Sequence, residues 1–189
     1  MEAFVVSTAL VTAAEMGDKT QLLSFVLAAT LRRPVAILLG ILVATLANHA
    51  LAAGTGYLIA GWMSADAMAW IAGSSFIAFG AWALKPDSFA GKPRILQAGA
   101  FATACLAFFV AEMADKTQFA TIALAGRYHA LVSVVLGTTV GMMIANLPAV
   151  WIGEKLAQRL PMRALRIAAA MLFVAMGVAT LAGPIGRML

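Results

Sequence analysis

The chain has 189 residues, 63% of them hydrophobic and 11% charged, with a formal net charge of +5. Soluble domains carry roughly 25% charged and 45–50% apolar residues, and a globule this small leaves too much surface in water to hide the excess. That excludes a disordered chain, an ordinary cytosolic enzyme and, with Cys105 as the one cysteine, a disulfide-stapled secreted domain.

What remains is an integral membrane protein in contact with a lipid bilayer. The start, Met1-Glu2-Ala3, has no basic region, so no cleavable signal peptide is expected. A membrane helix needs about 20 mostly apolar residues. In chain order the runs 3–31, 35–61, 67–84, 97–126, 130–154 and 164–183 read as six spans. Loops on one side would carry Arg32, Arg33, Lys85, Lys92, Arg94, Lys155, Arg159, Arg163 and Arg166. The other side would carry only Arg127 and Arg187. Positive loops stay cytoplasmic, so both termini are expected outside the cytoplasm. The same distribution explains the basic charge without a nucleic-acid partner.

The first and fourth spans repeat each other. A shift of 97 residues carries Glu15, Asp18, Lys19, Thr20 and Gln21 onto Glu112, Asp115, Lys116, Thr117 and Gln118. The same register carries Gly40 onto Gly137, Phe76 onto Phe173 and Gly80 onto Gly177. A unit of three helices is odd, so its second copy enters the membrane upside down. The expected fold is all-α, six transmembrane helices as two inverted three-helix repeats. Residues 1–84 form the first, 85–96 a cytoplasmic linker and 97–189 the second. Inverted repeats are a common transporter plan, with the binding site at the midplane between the copies.

The motif acids fall mid-span. An ionised side chain there costs about 2.5–3.5 kcal/mol on insertion scales, so four acids and two lysines must face one another, water or an ion. Residues three and four apart share a helical face. On a continuous helix Glu15, Asp18 and Gln21 would line one stripe, extended by Thr8 and Thr12, with Lys19 placed to pair with Glu15. Two such stripes would build an oxygen-rich cage from Glu15, Asp18, Glu112, Asp115, Gln21 and Gln118. Thr20 and Thr117 are secondary candidates, and Lys19 and Lys116 tune charge. Four carboxylates and two ammonium groups sum to −2, which one divalent cation or two protons would neutralise. Oxygen ligands favour calcium, manganese or magnesium over zinc and copper.

Asn48, His49 and Asn146 are further polar candidates: they line the ion path or hydrogen-bond between helices. A midplane histidine can also relay protons. Ser24 and Thr121 occupy matched positions. Pro148 is expected to kink the fifth span.

The sequences Glu15-Met16-Gly17-Asp18-Lys19-Thr20 and Glu112-Met113-Ala114-Asp115-Lys116-Thr117 resemble the paired signature of uncharacterised protein family 16. This is the transmembrane protein 165, or Gdt-type, cation transporter family. The likeness extends over essentially the whole chain, with Ala114 standing where the pattern has glycine. It implies secondary exchange of manganese or calcium for protons, with no bound cofactor and with the four acids as ligands. Bacterial members resembling this chain act in manganese efflux, which implies a multi-pass protein of the inner membrane. From the residues alone, a passive cation channel, an exporter of small cationic organic molecules and an intramembrane aspartyl hydrolase remain competing readings.

Overall fold

The computed structural model describes residues 1–85, 95–113, 115–152 and 162–188. Ala114, Lys92, Arg94, Lys155, Arg159 and most of the expected 85–96 linker lie outside the described residues. Eight helices occur among those described: α1 Glu2–Glu15, α2 Lys19–Leu31, α3 Pro34–Gly61, α4 Ala65–Ala83, α5 Gly99–Glu112, α6 Lys116–Tyr128, α7 Leu131–Ile152 and α8 Met162–Met188.

Local chemistry sets the ends. Arg32 adopts the left-handed conformation (φ 50°) and its N–H closes α2 on the Ala28 carbonyl. Pro34 then opens α3, where a missing N–H costs nothing. The Ser64 side chain accepts the Ala67 N–H at 3.2 Å and caps α4. The runs expected at 35–61, 67–84, 130–154 and 164–183 are α3, α4, α7 and α8. Those at 3–31 and 97–126 are not continuous helices; each is two, the first ending at Glu15 or Glu112 and the second starting at Lys19 or Lys116.

The backbone takes matching angles at the two motifs. Met16 (φ −65°, ψ 113°) and Met113 (φ −64°, ψ 125°) leave their helices alike. Asp18 (φ −87°, ψ 172°) and Asp115 (φ −84°, ψ 165°) begin the next ones alike. His129 (φ 49°) ends α6 as Arg32 ends α2. Two glycine approaches match as well. A Cβ on Gly40 of α3 would lie 2.6 Å from the Phe101 carbonyl of α5, and one on Gly137 of α7 would lie 2.6 Å from the Phe4 carbonyl of α1. Only a residue without a side chain permits either approach.

The pair α4 and α8 is placed to one side of these contacts. These helices pack on each other, α4 against α6 and α8 against α1, but neither packs comparably on α5 or α2. One end of the bundle is defined by Tyr128 of α6 donating to Glu2 of α1 at 3.3 Å and by Tyr57 of α3 meeting His129 edge-on. At this Tyr128 end a large apolar cluster includes Met68, Phe76, Leu124 and Phe173. At the opposite, Arg32 end a smaller cluster holds Leu23, Leu27, Ile37, Ile41 and Phe108 from α2, α3 and α5, joined by Val150 of α7. The second cluster has no contribution from α4 or α8 among the described residues.

The helices Pro34–Gly61, Leu131–Trp151 and Arg163–Gly186 are long and apolar enough to cross a bilayer. Their outer faces expose Val43, Leu51, Leu58, Ile144, Met171 and Val178. Apolar surface on this scale needs an apolar partner, and acyl chains provide one.

Candidate cation site

The two helix breaks face each other at the centre of the bundle. At Gly17 the backbone turns to φ 86°, a region that costs glycine nothing. Its N–H leaves the helical ladder for Gln21 Oε1 at 2.9 Å, away from the Ala13 carbonyl it would meet in a continuous helix. Gln21 Nε2 donates to the Ala145 carbonyl of α7 at 2.9 Å, next to Ile144, whose carbonyl Pro148 deprives of a helical donor. Both ends of the Gln21 amide are thus engaged, and this side chain braces the break. Gln118 occupies the matching turn of α6, half-buried.

Glu15, Asp18, Glu112 and Asp115 are all buried, none more than 4% exposed. One carboxylate oxygen from each of Glu15, Glu112 and Asp115 lies within 4.8 Å of the other two. Thr20 Oγ1 donates to Glu15 Oε2 at 2.5 Å and Thr117 Oγ1 to Glu112 Oε2 at 3.0 Å. Each threonine therefore orients one glutamate. Glu15 Oε1, Glu112 Oε1 and Asp115 Oδ2 have no donor among the described residues. Buried carboxylate oxygens without donors are costly, and a hard cation fits them.

The lysines depart from the expected pairing. Lys19 does not reach back to Glu15. Its Nζ donates to Asp115 Oδ1 of the other motif at 2.8 Å, and Lys116 donates to Asp18. An intrahelical pair needs a helix running through both residues, and the break at residues 16–18 removes it. The two ion pairs instead tie the motifs together crosswise.

Other expected residues sit nearby in different roles. Thr8 and Thr12 donate to the Gly137 and Gly141 carbonyls of α7, so they face that helix and not the acids. Ser24 donates to Asn146 Oδ1 at 2.7 Å, and Asn146 Nδ2 returns to the Met142 carbonyl. Thr121 bonds within α6. Asn48 Nδ2 donates to the Phe109 carbonyl, one turn before Glu112. His49 is 1% exposed, and neither ring nitrogen has a partner among the described residues. Sequence reasoning missed Thr45, whose buried hydroxyl is likewise without a partner among those residues. Its signal was the spacing Thr45, Asn48, His49, which places three polar groups on one face of an apolar helix.

Comparison with known proteins decides the class. The family model described as "Divalent cation/proton antiporter GDT1" matches residues 3–90 and 100–186. The chain belongs to the GDT1 family. GDT1 proteins are transporters, not enzymes, which sets aside the hydrolase reading. A curated protein of Vibrio cholerae serotype O1 (strain ATCC 39541 / Classical Ogawa 395 / O395) is 44% identical over 181 residues. The match covers 95% of this chain and 90% of that one, whose name is "Putative manganese exporter". No solved structure matches the chain. In this GDT1 member the matched segments include both broken helices and all four acids.

Proposed function

We propose that this GDT1 protein expels manganese from the cytoplasm in exchange for protons, with Glu15, Glu112 and Asp115 as the cation's seat and Asp18 as the fourth charge. The observation that carries the reading is the convergence of three buried carboxylates, each with an oxygen free of donors among the described residues. With both lysines paired to aspartates, the glutamates carry the remaining charge of −2. One divalent cation or two protons neutralise it.

The architecture we infer is six spans in two inverted repeats, with α1–α2 and α5–α6 as broken spans. Half-helix ends meeting at a midplane site are a recurring transporter device. The reading is supported by the matched backbone angles at the two breaks and by the matched approaches at Gly40 and Gly137. The clustering of Arg32, Arg33, Lys85, Arg163 and Arg166 supports, by the positive-inside rule, a cytoplasmic Arg32 end. Both termini then face outward across the bacterial inner membrane. Inverted symmetry calls for α4 to meet α5, and α8 to meet α2, in half of the cycle. Here both helices close on the outer half, which supports reading the outer side as shut, with the four acids themselves buried.

The test is manganese uptake into proteoliposomes of pure protein driven by an imposed pH gradient. Glu15→Gln and Glu112→Gln should each lower it by roughly 10–100-fold or more, since each removes a charge that meets the transported ion directly. Undiminished pH-driven uptake in both variants overturns the proposed seat.

A further inference from the structure

The two motif lysines differ in freedom of movement. Lys116 is packed away, its side chain 5% exposed beside an Asp18 at 1%. Lys19 holds the same motif position on α2 and is 25% exposed while bound to Asp115 Oδ1. The difference follows from packing, since α4 covers α6, whereas among the described residues neither α4 nor α8 packs comparably on α2. Asp115, the partner of the freer lysine, is also the aspartate that joins Glu15 and Glu112 in the carboxylate trio.

An ammonium has three donors and no lone pair, so it cannot ligate a cation. The two oxygens of Asp115 share one carbon. A cation that takes Oδ2 therefore sits hard against an ammonium on Oδ1, and the like charges repel. Lys19 has room to leave; Lys116 does not.

We propose that Lys19 is a tethered cation that holds Asp115 until an ion enters and must be displaced by it, which makes Lys19 a determinant of divalent over monovalent selectivity. This rests on the reading of Glu15, Glu112 and Asp115 as the cation's seat. A group tethered beside its target competes at an effective concentration in the millimolar range or higher. A monovalent ion exchanges one unit charge for another at Asp115 and gains little. A divalent ion brings twice the charge to Asp115 and to both glutamates, and it wins the exchange.

The experiment is equilibrium manganese binding to the full chain in lipid nanodiscs at fixed pH, with and without excess sodium. Wild-type protein should bind manganese and ignore sodium. Lys19→Met should bind manganese roughly tenfold more tightly, having lost its internal competitor, and sodium should now weaken that binding. Lys19→Arg keeps the charge and should restore the exclusion of sodium, which a purely structural role would not predict. A second measurement needs no variant. Acylation of Lys19 by an amine-reactive reagent, read by mass spectrometry on wild-type protein, should rise severalfold when manganese is added. Lys19→Met that excludes sodium as wild type does, or Lys19 labelling unmoved by manganese, overturns the inference. Wild-type protein that binds no manganese overturns the seat itself. Normal wild-type binding with an unaltered Lys19→Met variant overturns the role of Lys19 alone.

Discussion

The motifs at residues 15–21 and 112–118 are alike at every position except Gly17 and Ala114, yet they sit in unlike halves of the bundle. Towards the Tyr128 end, α1 and α6 are covered by α8 and α4. Towards the Arg32 end, among the described residues, these two helices do not cover α2 and α5. The contrast reaches single side chains: Met113, where α5 ends, is 54% exposed, whereas Met16 at the end of α1 is half-buried. It teaches that one sequence unit, used twice, supplies the chemistry, while the placement of two further helices decides which copy meets the outside of the site.

If that placement is one half of a working cycle, fixing it should stop transport. The Met68 side chain packs directly on Gly126, so oxidising a Met68→Cys, Gly126→Cys pair in a Cys105→Ser background, with the bond confirmed by mass spectrometry, would pin α4 to α6. Exchange in proteoliposomes should vanish on oxidation and return with reductant. Full activity in the oxidised protein would mean that α4 and α6 need not part.

A smaller effect separates the lysines. Lys116→Met leaves a buried Asp18 without its ion-pair partner, and breaking a buried pair costs about 3–5 kcal/mol. Lys19→Met leaves Asp115 in a more open setting and should cost clearly less. Thermal unfolding in detergent checks this, with Lys116→Met giving the larger drop in Tm. Equal drops would erase the distinction between the two motifs.

The smallest effects concern packing. Gly137→Ala drives a methyl into the Phe4 carbonyl of α1, and overpacking of this kind costs about 1–3 kcal/mol. Gly54 has open space around it, so Gly54→Ala should be neutral or stabilising by up to roughly 1 kcal/mol through helix propensity. Thermal unfolding of the two variants side by side distinguishes the positions.

Much of this was legible in the sequence. Hydropathy marked the helical runs, because a bilayer asks for length and apolarity and little else. The 97-residue register exposed the paired motif, because four acids at mid-span have no cheap alternative role. The breaks were not legible. A lone glycine inside an apolar run is tolerated in a helix, and it was the Gly17 N–H bonding to Gln21 that showed the helix had stopped. The crosswise pairing of Lys19 with Asp115 was hidden for the same reason, since spacing rules such as four residues from Glu15 hold only on an unbroken helix. Gln21 read as a ligand because its type suits one; its engagement with Gly17 and Ala145 depends on α7, far away in the chain.

The most direct test of the central claim follows manganese and pH together inside the same vesicles of pure wild-type protein. Buried carboxylates that alternate between one divalent cation and protons predict two protons leaving for each manganese ion that enters, at a rate indifferent to membrane potential. Manganese that crosses with no opposing proton movement would contradict the account and leave a channel in its place.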